Sequence, residues 1–216
     1  WCKPGKLAAQ VSYLEAHPDG AMAVHAAEVK NDRGELVNRN LMRPYRGDRD
    51  LSPAELVDKA GSFPFGAMLL RREVVENLPD WYFRCPVGDR PLELLAALKG
   101  YCHYADRFDS VYRFHGAGSW TEEMKSGDFK KKQDAYAIAM RELYRAFDRE
   151  SGGRYHRAAV SAARRVYFLT RVNLRDYDEI FSRRYRRYYR ELSLRDRGFI
   201  RAERTLPFLF AGLRRL

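Results

Sequence analysis

Residues 85–100 constrain the fold more than any other stretch, because they mark both ends of a helix. The helix start contains Gly88, Asp89 and Pro91. An Asp side chain there can accept hydrogen bonds from backbone N–H groups that have no partner within the helix, and the fixed φ angle of Pro suits the first helical turn. Leucines then recur at helical spacing until Gly100, a typical helix stop. The stretch therefore predicts an amphipathic helix that presents one carboxylate at its N-terminal end.

Strands and helices alternate through residues 1–120. The pattern predicts a helix over Lys6–His17, with Leu7, Val11 and Leu14 on one face, and a buried strand over Met22–Val29. Further expected elements are a hairpin turn at Asn31–Gly34 with a returning strand, a loop over Arg39–Asp50, a capping-box helix from Ser52, a strand over Phe63–Leu70, a short helix over Arg71–Leu78, and strands over Tyr101–Ala105 and Asp109–Phe114. Such alternation is typical of an α/β sheet with its ligand site at the carboxyl ends of the strands.

From Thr121 onward the pattern predicts helices only. The candidates are Phe129–Phe147, Tyr155–Val172 and Tyr177–Leu192. In the last of these an aromatic stripe occupies one face and arginines cover the rest. We therefore expect an α/β domain over residues 1–120 and an all-helical extension over residues 121–216.

The net charge of +11 is confined to the last third of the chain. Residues 1–150 carry 23 basic and 23 acidic side chains, whereas residues 151–216 carry 17 arginines, no lysine and 6 acidic side chains. A basic, tyrosine-rich helical region could bind nucleic acid, anionic lipid or an acidic partner. Arginine also outnumbers lysine 31 to 9 overall, so the charge could instead reflect genome composition. Without a recognisable nucleic-acid module, nucleic acid is not an expected partner.

The sequence predicts no membrane-spanning helix, since it lacks a run of roughly eighteen apolar residues. The apolar segment Leu206–Leu213 is flanked by arginines, and residues 193–216 could lie on an anionic membrane surface. Three scattered cysteines (Cys2, Cys85 and Cys102) indicate reduced thiols. We expect a cytoplasmic location, peripheral on the inner face of the membrane.

Several segments resemble, in the same order, segments of the family 2 glycosyltransferases of the GT-A fold. Trp1 and Pro4–Glu15 are similar to the segment that follows the family's Asp-X-Asp metal motif, and Met22–Gly34 to the next strand and turn. Gly66–Glu73 with Leu78–Trp81 is similar to the acceptor-side strand and helix, and Cys85–Leu92 and Val111–His115 to the two motifs that close the active site. No single motif is diagnostic; the ordered set carries the resemblance, which covers residues 1–120.

The resemblance implies a partial GT-A sheet flanked by helices and an inverting sugar transfer. The expected substrates are a nucleotide-sugar donor and a hydroxyl of a glycan or lipid-linked acceptor, with Mn²⁺ or Mg²⁺ as cofactor. In that family the donor binds mainly to an N-terminal half that precedes the first matched segment. We therefore expect a longer parent chain to be the enzyme and these residues alone to be inactive. The alternative is a non-catalytic basic module that binds nucleic acid or anionic membrane.

Asp89 matches the family's general base, because it lies in the sequence motif Gly-Asp-X-Pro-Leu. Its local pattern fits a simple helix cap as well. His115 resembles the family residue that reaches the metal or the leaving diphosphate, and Arg113 could contact the phosphates. A lone histidine after a strand is also a common structural residue.

Trp81 and Tyr82 are the candidates for contact with the acceptor, together with Gly88. Aromatic faces suit the C–H face of a pyranose, but the same residues could pack beside the sheet. His25 lies on a predicted strand and is interpreted first as a core histidine. Cys85 and Cys102 lack the context of a nucleophile and are interpreted as packing residues.

Overall fold

The computed structural model describes residues 3–59, 63–114, 120–206 and 208 of the chain. The helices are α1 Lys6–Ala16, α2 Pro53–Lys59, α3 Asp80–Phe83, α4 Asp89–Lys99, α5 Trp120–Lys125, α6 Phe129–Glu150, α7 His156–Leu174, α8 Tyr177–Ile180, α9 Arg186–Glu191 and α10 Leu194–Thr205. The strands are β1 Gly20–Lys30, β2 Leu36–Met42, β3 Arg49–Leu51, β4 Leu69–Leu70 and β5 Tyr101–Arg113. Short 3₁₀ turns cover Phe65–Ala67, Arg72–Val74 and Arg183–Tyr185.

The strands form a curled mixed sheet in the order β2-β1-β5-β3, with β4 paired to β1. Strands β1 and β5 are parallel, whereas β2, β3 and β4 each pair antiparallel to a neighbour. The register of β1 against β5 shifts between His25 and Ala27. Helices flank the sheet and follow it, so the α/β class is confirmed. The specific GT-A topology stays a prediction.

Strand β1 lies at the centre of the core. Every residue from Gly20 to Ala27 is buried, as in a parallel strand covered on both faces. Helices α1 and α4 both pack against this strand. Gly100 alone separates α4 from β5, so α4 runs back toward the start of the parallel strands.

Two segments differ from the sequence prediction. Their secondary structure is determined by backbone pairing with other strands rather than by the pattern of their own side chains. The predicted loop over Arg39–Asp50 is wrong at both ends: β2 continues to Met42 and β3 begins at Arg49. Strand β2 is almost wholly exposed, so it shows no apolar alternation. The predicted strand over Phe63–Leu70 reduces to the two residues of β4, after a 3₁₀ turn.

Two further boundaries are corrected by the structure. The strands predicted over Tyr101–Ala105 and Asp109–Phe114 are one strand, β5. The helix predicted over Tyr177–Leu192 is broken at Ser182, whose backbone is extended (φ −61°, ψ 151°). In contrast, the capping box that opens α2 is confirmed, because Ser52 N–H donates to Glu55 Oε2 (3.0 Å) and Glu55 N–H to Ser52 Oγ (3.3 Å).

By compactness the chain divides into unit 1, residues 1–163, and unit 2, residues 164–216. The predicted boundary after residue 120 separates the sheet from the later helices, and it therefore falls inside unit 1. The core of unit 2 contains the aromatic side chains Phe168, Tyr185, Tyr188 and Tyr189 together with Ile180 and Ile200. None of the described helices is both long and apolar enough to cross a membrane.

Candidate active site

Asp89 is the first residue of α4, and its side chain is half-buried. The N-cap itself is Gly88, which has no side chain to contribute, so Asp89 is not the cap residue. One Asp89 oxygen accepts the backbone N–H of Arg90 at 2.8 Å, and the positive end of the helix dipole stabilises the carboxylate. Among the described residues no other hydrogen bond to Asp89 forms, so its second oxygen can accept a proton from a ligand.

Arg90 fixes the start of α4 by joining it to two neighbouring helices. Its guanidinium donates to the carbonyl oxygens of Leu56 (2.9 Å) and Val57, in the last turn of α2. Because they lie in the last turn, those carbonyls receive no hydrogen bond from an N–H group of their own helix. Arg90 Nε also donates to the Tyr144 hydroxyl of α6 (2.8 Å), and the guanidinium lies over that ring at 5.5 Å. The helix end that carries Asp89 is therefore held from two sides.

Glu93 lies one helical turn beyond Arg90 and is paired with it. The Glu93 side chain is 5% exposed. Burial raises the pKa of Glu93 to about 7; Arg90 opposes this shift, and the nearby charge of Asp89 adds to it. Sequence reasoning missed this residue, although the three-residue spacing from Arg90 was a visible signal. Glu93 thus places a group that titrates near neutral pH beside the candidate base.

A cavity of about 410 Å³ opens between α3 and α6, in unit 1. Its lining residues are Trp81, Arg84, Cys85, Ala139, Glu142, Leu143, Ala146 and Arg149. Cys85 precedes Asp89 by four residues. Burial raises the pKa of the Cys85 thiol and the Asp89 charge raises it further, so the thiol is not activated as a nucleophile.

The Tyr136 phenol of α6 is influenced electrostatically by groups at the start of α4. Burial raises the pKa of this phenol, and the groups of Tyr144 and Asp89 add to the shift. Tyr144 faces the N-terminal end of α4, because its hydroxyl accepts the hydrogen bond from Arg90 Nε.

The structure places the three acceptor-side candidates differently. Trp81 is 8% exposed and forms part of the cavity wall, so it both packs in the core and faces a cavity. Tyr82 is half-buried, stacks edge-to-face on Phe83 at 5.2 Å, and is not among the lining residues given for the described part of the chain. At Gly88 a Cβ atom would meet only the Phe65 ring, at 3.9 Å, so this position has room for a side chain.

Arg113 is exposed at the carboxyl end of β5, opposite Lys30 of β1 in the parallel register. Since α4 joins the start of β5 through Gly100, Arg113 stands at the far end of that strand. His115 lies outside the described residues, and its role at the metal or the diphosphate stays a prediction. Trp81 and Cys85 thus line one cavity, Asp89 begins the helix that follows them, and Arg113 lies at the carboxyl end of β5.

A second buried polar cluster lies between α1 and the central strands. It was not predicted, because α1 buries Lys6, Gln10 and Leu14, whereas Leu7 and Val11 of the predicted apolar face are exposed. Gln10 Nε2 donates to two main-chain carbonyls of other segments, both at 2.9 Å. The polar face of the helix is therefore anchored by hydrogen bonds rather than by apolar contact.

His25 of β1 belongs to this cluster and is 1% exposed, as expected for a core histidine. Its Nδ1 carries the proton, because it donates to the Ala26 carbonyl at 2.7 Å. Burial lowers the pKa of His25 and also that of Lys6, while Asp109 acts in the opposite direction on both. The imidazole is thus a neutral structural donor.

No group of three or more His, Cys, Asp or Glu side chains within residues 3–59, 63–114, 120–206 and 208 could hold a metal ion. The Mn²⁺ or Mg²⁺ that the resemblance implies therefore finds no ligand set among these residues.

The chain matches no protein-family model, no curated protein and no solved structure. Asp89 offers a carboxylate with one oxygen available, at a helix end fixed by Arg90 and four residues after Cys85 of the cavity wall. Such an arrangement can remove a proton from a bound hydroxyl group.

Proposed function

We propose that residues 1–120 form the acceptor-side part of an inverting glycosyltransferase and act within a longer parent chain. The transferred sugar comes from a nucleotide-sugar donor and goes to a hydroxyl of a glycan or lipid-linked acceptor. The observation that carries the proposal is the Asp89 carboxylate at the anchored N-terminus of α4, within segments that resemble family 2 glycosyltransferases in order.

In this reaction Asp89 accepts the proton of the acceptor hydroxyl while its oxygen attacks the anomeric carbon. The nucleoside diphosphate leaves with the electrons of the broken bond. The base needs no raised pKa, because the hydroxyl becomes acidic only as its bond to carbon forms. Trp81, Tyr82 and Gly88 are proposed on the acceptor side, and Arg113 and His115 on the diphosphate side.

The test is Asp89→Asn in the parent chain, assayed by release of nucleoside diphosphate from a panel of nucleotide sugars. We expect kcat to fall by about 10²- to 10⁴-fold, the usual contribution of a general base. Asp80→Asn is the matched control, since Asp80 is an exposed carboxylate at the first position of α3. Retention of most of the turnover by Asp89→Asn, with normal turnover in the control, would remove Asp89 from this role.

A second candidate function, binding to an anionic membrane surface, is favoured by one face of unit 2. Arg183, Arg186, Arg187 and Arg190 follow the spacing of one helical face and are all exposed, while Tyr185, Tyr188 and Tyr189 are buried. Among the described residues only Arg187 of these four arginines has an acidic partner, Glu191 at 3.4 Å. The guanidinium group of arginine binds phosphate groups in a bidentate manner.

Exposed apolar side chains follow this arginine face along the chain. Leu194 is 80% exposed, Leu206 51% and Phe208 92%. Arginines beside exposed apolar groups are typical of segments that lie in a lipid headgroup region. This observation favours lipid over nucleic acid as the anionic partner.

Co-sedimentation with vesicles tests the membrane proposal. We expect the chain to sediment with phosphatidylserine-containing vesicles and not with phosphatidylcholine alone. The triple variant Arg183→Gln/Arg186→Gln/Arg190→Gln should stay in the supernatant, whereas Arg33→Gln/Arg46→Gln/Arg72→Gln, with the same charge change on exposed residues of unit 1, should still sediment. Equal sedimentation of both triple variants would exclude the arginine face, and binding to duplex DNA but not to vesicles would exclude lipid.

A further inference from the structure

The cavity between α3 and α6 has the size of a site for a single sugar unit. Its volume of about 410 Å³ falls at the lower end of the usual range for small-molecule sites. The Trp81 ring supplies an aromatic wall, and Leu143, Ala139 and Ala146 supply apolar surface. Flat aromatic and small apolar surfaces suit the C–H face of a pyranose.

Trp81 also leaves a buried donor without an acceptor. Its side chain is 8% exposed, and its indole Nε1 forms no hydrogen bond within the described part of the chain. Buried N–H groups are almost always paired, so an exception of this kind calls for an acceptor that comes from elsewhere. The nitrogen has almost no accessible surface, so a ligand oxygen in the adjoining cavity would reach it only after the Trp81 ring had moved.

Two arginines bring positive charge to the same cavity. Arg84 follows α3 directly and Arg149 lies in the last turn of α6; neither has an ion pair among the described residues. The carboxylate of Glu142 also lines the cavity, but Arg145 (2.8 Å) and Arg141 (3.6 Å) offset its charge. The lining therefore has positive charge available for an anionic ligand group.

We propose that this cavity binds a pyranose that carries one carboxylate or phosphate group. Arg84 and Arg149 hold the anionic group, and the Trp81 ring packs against the C–H face of the sugar. Cys85 lines the cavity and Asp89 follows it by four residues, so the proposal places the sugar on the side of the candidate base. Resting on the proposed function, the inference deepens it: the acceptor of the transferase is an acidic sugar.

Isothermal titration of the 216-residue chain with four probes tests the binding directly. The probes are D-glucuronate, D-glucose 6-phosphate, neutral D-glucose and inorganic phosphate. We expect one or both anionic sugars to bind at least tenfold more tightly than glucose and more tightly than inorganic phosphate. The tighter of the two identifies carboxylate or phosphate as the recognised group.

Single variants locate the site. Arg84→Ala and Arg149→Ala should each weaken binding of the anionic sugar about tenfold, as expected for loss of a charge-assisted hydrogen bond, and Arg149→Lys should restore part of it. Arg157→Ala, an exposed arginine outside the lining residues, should leave binding unchanged. Equal affinity for glucose and the anionic sugars, or equal loss in the control, would overturn the proposal, and so would inorganic phosphate binding as tightly as the sugars.

The binding result and the transferase result are separable. Loss of sugar binding in the arginine variants, together with full turnover of Asp89→Asn in the parent chain, would retain the acidic-sugar site and reject the base. Conversely, a strong effect of Asp89→Asn with no preference for anionic sugars would retain the transferase and reject this inference.

Discussion

Arg90 and Glu93 form an ion pair across one turn of α4, with side chains that are 14% and 5% exposed. Removing two charges from water is costly, so such a pair contributes little net stability compared with apolar residues. Breaking it by loss of one partner is far more costly, because the other charge is then buried alone. The pair therefore serves to fix the position of the start of α4, and with it the position of the Asp89 carboxylate.

The first prediction concerns the pH dependence of stability through Glu93. Burial raises its pKa to about 7 in the folded state, above its ordinary value of 4.5. The folded chain therefore binds this proton more tightly than the unfolded chain, and stability falls as pH rises from about 4.5 through 7. Between pH 5 and pH 8 we expect Glu93 to lower the free energy of unfolding by about 2 kcal/mol.

Urea unfolding of the wild type and Glu93→Gln across this pH range measures the effect. Glutamine keeps the shape and cannot ionise, so the variant should gain stability relative to the wild type as pH rises. Glu142→Gln is the control, since Glu142 is 54% exposed and on the surface of α6. A constant difference between wild type and Glu93→Gln from pH 5 to pH 8 would show that Glu93 does not titrate in this window.

The second prediction concerns the shape of the Arg90 side chain. A lysine cannot donate to Leu56, Val57 and Tyr144 at once, because it lacks the planar fork. Arg90→Lys should lower the free energy of unfolding by about 2 kcal/mol, through carbonyl groups left without a donor. The exposed Arg157→Lys should change it by less than about 0.5 kcal/mol. Equal, small effects of the two substitutions would mean that the Arg90 contacts are dispensable.

The third prediction concerns a surface cluster that joins α1, β3 and β5. The Tyr13 ring lies between His17 and His103, with ring centroids 4.0 and 3.5 Å away. Asp50 accepts hydrogen bonds from the Tyr13 hydroxyl (2.8 Å) and His103 Nδ1 (2.7 Å). Partial burial opposes ionisation of Asp50, but these two hydrogen bonds lower its pKa overall.

A lowered carboxyl pKa gives stability that is present above the unfolded value, near 4, and is lost as pH falls through the folded value. Asp50→Asn should therefore be less stable than the wild type at pH 7, and the difference should vanish toward pH 2. Since Asp50 is 53% exposed, we expect only about 0.5 kcal/mol. Asp32→Asn, in an exposed turn, is the matched control. A difference for Asp50→Asn that persists at pH 2 would point to geometry rather than charge.

The sequence predicted well where local signals and tertiary contacts agree. The start of α4 at Asp89 and its end before Gly100 follow from residue types, as does the Ser52–Glu55 capping box. Strand β1 was predicted from a short apolar run that is buried on both faces. In each case a few neighbouring residues contain the whole signal.

Prediction failed where the deciding partner is distant in the chain. Helix α1 buries Lys6 and Gln10, because Gln10 donates to carbonyls 13 and 57 residues away. No periodicity rule could choose that face over Leu7 and Val11. The same holds for Arg90, whose acceptors on α2 are 33 and 34 residues away. The candidate base was thus predictable from a motif, whereas the network that positions it was not.

The last prediction concerns Gly100. Glycine is required there because a side chain would not fit, and not because the backbone conformation excludes other residues. Its φ of 175° is extended and open to any residue, but an added Cβ would lie 2.1 Å from the Asp19 carbonyl oxygen. That backbone belongs to the turn before β1, and Tyr101 N–H donates to the same oxygen at 3.2 Å. Gly100→Ala must therefore push the start of β5 away from β1.

We expect Gly100→Ala to lower the free energy of unfolding by about 1–3 kcal/mol, as for other overpacked sites. Gly66→Ala is the matched control, because a Cβ there meets nothing within 4 Å, and its effect should stay within about 0.5 kcal/mol. Urea unfolding of both variants at pH 7 measures the difference. If Gly100→Ala were as stable as Gly66→Ala, α4 and β5 could separate from the Asp19 turn at no cost. The short connection through Gly100 would then not fix α4, and the fixed position of Asp89 would depend on Arg90 alone.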